Sequence, residues 1–120
     1  MNIEKIVLKN LFKNEAYTRK VLPFIKDEYF LVDEDRVLFK TIKDFLLKFN
    51  TQPTFDALRI EIESRENLRE DTVSQIVTSL KEFQASEEQT NIDWLVSSTE
   101  QFCQEKAIYN AIMKSIDIMN

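Results

Sequence analysis

The sequence predicts an all-α fold, a compact bundle of about six helices, and three observations carry that prediction. None of the 120 residues is glycine, only Pro23 and Pro53 interrupt the chain, and apolar residues recur at three- and four-residue steps over long stretches. Tight hairpin turns depend on residues that accept positive φ, glycine above all, so this composition removes the usual punctuation of β-sandwiches and leaves helix-compatible segments. One domain is expected at this length, hiding roughly two-thirds of the surface of the unfolded chain. A hydrophobic content of 43% beside 31% charged residues is a globular balance.

The first helix is expected from about Asn2 to Phe12, burying Ile3, Val7, Leu8 and Leu11 and turning Glu4, Lys5 and Lys9 to water. Glu15 to Val21 forms a shorter second helix, after which Pro23 opens a turn through Phe24 and Ile25. Tyr29 and Phe30 anchor the connection. The third helix runs from about Asp33 to Phe49. Asp33, Glu34 and Asp35 at its start can cap free amides and meet the positive end of the helix dipole. Its expected buried stripe is Leu38, Ile42, Phe45 and Phe49, opposite a charge ladder of Lys40, Asp44 and Lys48.

Asn50 to Pro53 is a break, and Thr54 caps a fourth helix carrying Leu58 and Ile62, with Glu61 placed to pair with Arg65. A polar stretch near Glu66 ends that helix. The fifth carries Val73, Ile76, Val77, Leu80 and Phe83, and Ala85 to Asn91 is a polar loop expected to be the most mobile segment. The last helix spans about Asn91 to Met119. Its first half is amphipathic, with Leu95, Val96, Phe102 and Cys103 inward, and Trp94 beside them is expected to anchor the helix on the domain. Its second half is apolar around most of its circumference, and a helix of that kind is buried on more than one side. Ile108, Tyr109, Ile112, Met113, Ile116 and Met119 are therefore the candidate self-association surface.

The residue types exclude most chemistry. A phosphate-wrapping loop needs glycine, so neither a P-loop nor a GxGxxG turn can be written. With no histidine and one cysteine, the common zinc sets and Ser-His-Asp catalysis cannot be assembled. Asp33-x-Asp35 reads as an acidic helix start rather than a metal site. Glu61/Glu63 and Glu87/Glu88 read as solvated faces. Phe39-Lys40 and Lys48-Phe49 put aromatics on the apolar stripes and lysines on the wet side, which is core packing and not a stacking platform for nucleic acid. Cys103 reads as a small buried residue of a reducing compartment. A net charge of -5 without long single-sign runs argues against gripping DNA phosphates. No apolar run approaches the ~20 residues of a membrane span, and the first twelve residues lack a signal-peptide pattern. The chain is expected to be non-catalytic, with no cofactor or metal of its own.

Val7-Leu8-Lys9-Asn10-Leu11-Phe12, Val21-Leu22-Pro23-Phe24, Glu28-Tyr29-Phe30, Phe39-Lys40-Thr41-Ile42-Lys43, Pro53 with Ala57-Leu58, and Trp94-Leu95-Val96 leading to Asn110-Ala111 follow one another in a familiar order. In that order and spacing the chain resembles the N-terminal domain of DnaB-type replicative DNA helicases, most closely those of T-even-like tailed phages. Lys9 stands where cellular members commonly have glycine. The resemblance implies an all-α head followed by a helical hairpin, of which the last helix here is the first arm. It also implies a collar of dimers above a hexameric ring, contacts with primase and helicase loader, and a separate ATPase domain using ATP and Mg, absent from these 120 residues. It places the protein in the cytoplasm of an infected bacterium, with little or no DNA binding by this domain alone. The alternative is a complete small phage adaptor or regulatory protein that binds a host protein through the same helix.

Overall fold

A computed structural model describes residues 2–119, with the side chain of Met119 outside the described set. Six α-helices follow in order: α1 Ile3–Lys13, α2 Glu15–Val21, α3 Asp33–Phe49, α4 Phe55–Glu63, α5 Glu70–Ala85 and α6 Ile92–Met119, with short 3-10 turns at Leu22–Phe24 and Asp27–Tyr29. There is no strand among the described residues, so the expected all-α fold and its element order stand.

Asparagine supplies the punctuation that glycine does not. The Asn2 side chain accepts from the Lys5 amide at 2.9 Å and opens α1. Asn14 closes that helix through its own N–H to Asn10 O and opens α2 by accepting from Tyr17 N at 3.0 Å. Asn91 accepts from Trp94 N at 3.0 Å at the head of α6. Asn50 ends α3 in the left-handed region, φ 53° and ψ 37°, as the one positive-φ residue among those described. Its short polar side chain tolerates that region better than other non-glycine residues do. Thr54 caps α4 as expected, accepting from Ala57 N at 3.2 Å.

The central helix is α1, which packs against α2, α3, α5 and α6. Val7, Leu8 and Leu11 are fully buried and Phe12 nearly so. They meet Tyr17, Phe30, Leu38, Ile42, Ile62, Leu80 and Leu95 in one continuous core. Tyr29 and Phe30 anchor the connection as expected: the Phe30 ring lies 5.1 Å from that of Phe39 and 5.9 Å from that of Phe102.

That central position overturns the expectation that Lys5 and Lys9 face water. Lys9 is 6% exposed, and its ammonium escapes along the loop to donate to Glu88 O at 3.2 Å. Lys5 reaches Asp35 of α3 at 2.6 Å and Ser79 of α5 at 3.4 Å. With neighbours on four sides, α1 has no fully wet face, and long side chains must run their stems over apolar surface to satisfy their charge. Lys13 likewise donates to Ser86 O, so the 86–91 loop is tied to α1 at two points.

Helix α3 brings further corrections. No side chain caps its first turn, which begins at Val32, so Asp33 and Glu34 act there as charges only, and Asp35 is committed to Lys5. Its inward face is Leu38, Phe39, Thr41 and Ile42, whereas Phe45 is partly buried and Phe49 is exposed. The last turns run past the core, where Phe49 packs on Phe45 at 4.7 Å and the Lys48 ammonium lies 5.3 Å from its ring. Lys40, on the exposed ladder, pairs with Asp27 at 3.4 Å rather than with Asp44. Helix α4 stops at Glu63, which leaves Arg65 beyond the helical register, and Glu61 and Arg65 form no ion pair; Arg59 approaches Glu63 at 3.8 Å instead.

Candidate functional site

The pairs of residues that could have carried chemistry do not converge. Asp33 is exposed and pairs with Arg36 at 2.9 Å, while Asp35 is buried against Lys5. Glu61, Glu63, Glu87 and Glu88 are exposed, as expected for solvated faces. No group of three potential metal-ligating side chains occurs among the described residues. Nor is any described helix long and apolar enough to cross a membrane.

What stands out is α6. Its 28 residues span ~42 Å at 1.5 Å per residue. The first half is seated on the head: Leu95, Thr99, Phe102 and Cys103 are buried. Thr99 donates to Leu95 O at 2.7 Å and shares a 2.7 Å hydrogen bond with the Tyr17 hydroxyl, pinning α6 to α2. Cys103 is the small buried residue expected, and burial, with Glu100 adding, pushes its thiol up to about 11. Beyond Lys106 the helix leaves the head, and residues 107–118 are exposed apart from the partly buried Asn110.

The inward stripe does not end where the core does; it changes character. Leu95, Thr99 and Cys103 lead at steps of three and four to Lys106, Asn110, Lys114 and Asp117, so the same angular face is core in the first half and polar in the second. Asn110 marks the last touch with the head, its amide nitrogen 3.5 Å from Glu28 O. Apart from Ser115, the remaining circumference of the arm is apolar. Ile108, Tyr109, Ile112, Met113 and Ile116 are 61%, 57%, 55%, 41% and 45% exposed, so five of the six residues predicted for self-association share an open, projecting surface. The sixth, the Met119 side chain, lies outside the described residues.

Two shallow grooves flank the base of the arm. One, of about 380 Å³, lies between α6 and α1 and is lined by Ile3, Ile6, Trp94 and Phe102 among others. The other, of about 330 Å³, lies beneath Phe24 and Tyr29 and is floored by Cys103 and Ala107. Trp94 is 51% exposed, so it does not anchor α6 as expected; Leu95, fully buried, does. The grooves follow from which helices meet, which the spacing of apolar residues does not state. A signal for the first was nonetheless present: Trp94, Ser98, Gln101, Glu105, Tyr109, Ile112 and Ile116 recur at three- and four-residue steps, one unbroken stripe along α6.

No protein-family model matches the chain. A DnaB-like replicative helicase of Enterobacteria phage T4 is 32% identical to it over 114 residues, covering 95% of this chain and 23% of the T4 protein. The chain thus spans under a quarter of that relative's length. The resemblance carried by the ordered core motifs is borne out by that identity and by the all-α architecture: this is a helicase-related domain, homologous to part of a DnaB-like phage replicative helicase.

Proposed function

We propose that the chain is the non-catalytic N-terminal domain of a phage replicative DNA helicase, the part that organises the hexamer and docks primase and helicase loader in the cytoplasm of the infected host. A separate domain of the parent protein would hydrolyse ATP with Mg and move DNA. The observation that carries this reading is the arm of α6, whose apolar side chains from Ile108 to Ile116 stand exposed beyond the head. Such a surface costs free energy while wet and is characteristic of an interaction site. Its polar stripe faces the chain's own head side, so a covering partner approaches from the other sides.

Light scattering across a concentration series tests self-association directly. The chain should gain mass with concentration, and Ile112→Asp, which places a charge where desolvation is required, should hold it as a monomer with unchanged helicity. Ile112 makes no core contribution, so the variant should still fold. Equal masses for the two proteins at every concentration would count against the reading. Docking is tested separately, by calorimetric titration of the chain with the primase and the loader of the same phage.

A further inference from the structure

The groove beneath Phe24 and Tyr29 has a chemistry that helix packing alone does not explain. Its volume is about 330 Å³, at the lower edge of the ~300–1,000 Å³ typical of ligand sites. Phe24, at the end of the Leu22–Phe24 turn, stands 60% exposed over it. Tyr29 is 7% exposed and meets Phe102 edge-on at 6.5 Å, yet its hydroxyl, unlike that of Tyr17, makes no hydrogen bond to a described residue. A tyrosine buried to that degree ordinarily pairs its hydroxyl, and the groove that Tyr29 lines is where a partner can enter. Glu100 lines the same groove and Glu28 adjoins Tyr29; both are exposed, and no lysine or arginine is among the lining residues. Burial first, with Cys103 and Glu28 adding, pushes the Tyr29 hydroxyl upward, and Glu100 adds to the effect of burial at Cys103, so the fields of both carboxylates reach groups inside.

We propose that this groove receives the guanidinium of an arginine side chain carried by a partner protein. A guanidinium meets every feature of the site at once. Its face stacks on the Phe24 ring, its edge donates to the Tyr29 hydroxyl oxygen and to the Glu100 carboxylate, and it gives up water more readily than an ammonium does. A neutral apolar group would leave the hydroxyl unpaired and shield the carboxylate from water without compensation, and an anion would be repelled. Ala107, on the floor, is also the first exposed residue of the arm, so a protein that lies on the arm reaches the groove at its base. The site is formed by one copy of this chain and stands whether or not the arm pairs copies.

Amide NMR of the 120-residue chain titrated with N-acetylarginine amide tests the site. The amides of Cys103, Gln104 and Ala107 should shift, with a Kd in the millimolar range expected of so small a probe. The citrulline analogue, which has the same shape without the charge, should bind about fivefold more weakly, and the lysine analogue about threefold. Tyr29→Phe should weaken binding about fivefold and leave the melting temperature unchanged, because the hydroxyl it removes has no partner in the free chain. Glu100→Gln should cost about threefold, with the loss shrinking as salt is added. A peptide carrying the arginine between leucines should bind about tenfold more tightly than the single amino acid, as a protein source requires. Equal Kd for the arginine and citrulline probes, shifts that avoid the groove, or a Tyr29→Phe protein that binds like wild type would overturn the site. Equal Kd for the peptide and the amino acid would overturn a protein as the source of the cation.

Discussion

Replacing Lys5 with Met should lower the melting temperature of this domain by roughly 8–16 °C, taking ~2–4 kcal/mol and an unfolding entropy of about 0.25 kcal/mol/K for a chain of this size. The magnitude follows from the surroundings of the partner. The Asp35 side chain is 3% exposed, and the Lys5 ammonium lies 2.6 Å from it with its own side chain 31% exposed. At an effective dielectric constant of about 20 their attraction is about 6 kcal/mol, set against the cost of withdrawing both charges from water. Methionine keeps most of the apolar stem but leaves the carboxylate buried without its cation, which is the costly half of such a pair. The double variant Lys5→Met/Asp35→Leu removes both charges and should recover most of the loss. Thermal unfolding of the three proteins, followed by circular dichroism at neutral pH, measures the coupling. A Lys5→Met protein melting within about 3 °C of wild type, or a double variant no more stable than the single one, would refute the reasoning that this pair is desolvated.

Asn50 and Cys103 offer two further tests. Asn50 holds the left-handed cap of α3, so Asn50→Gly should be neutral or stabilising by up to about 1 kcal/mol, and Asn50→Val should cost about 1–2 kcal/mol, both read from urea midpoints. The Cys103 thiol, pushed up to about 11 by burial, keeps its proton in the folded state where the unfolded chain loses it near ~8.5. Its stabilising contribution is therefore complete below that lower value and is lost as pH climbs through about 11. Cys103→Ala should flatten the alkaline fall in stability relative to wild type. Tyr17 is also pushed upward by burial and will contribute to the fall in both proteins, so the difference between them is the reading. Alkylation of the native protein by iodoacetamide should accordingly be slow at neutral pH and accelerate on unfolding.

The helices were legible in the sequence because their caps and periodicities are local. Thr54 and the Asp33–Asp35 run each sit at a helix start, and the α6 arm betrays itself by having no polar side wide enough to face solvent all round. What stayed hidden depends on neighbours. Lys9 reads as a wet residue on an amphipathic helix, yet α1 is surrounded and the lysine is buried. Phe49 continues the stripe of Leu38 and Ile42, but the helix outruns the core it packs on, so the ring ends up at the surface beside Lys48. Trp94 adjoins the buried Leu95, and a rotation of one residue puts it on the outer face. Asparagine's role is hidden for a related reason: a chain without glycine reads as one without punctuation, whereas Asn2, Asn14, Asn50 and Asn91 mark helix ends through side-chain acceptors and one left-handed turn.

The seating of α6 also sets how its arm comes into being. An isolated helical segment of about a dozen residues is marginal in water because the first turn must be nucleated against its own entropy. Here the turn containing Thr99, Phe102 and Cys103 is already fixed by the head, so the arm grows by propagation from a finished nucleus and never meets the nucleation barrier. Ile108, Ile112, Ile116 and Ile118 are β-branched and give each added turn little intrinsic preference for helix. The arm's helix is thus held by its seat on the head more than by the intrinsic preference of its own residues. Any ligand that binds only the helical arm would add to its stability as the ligand's concentration rises over its Kd.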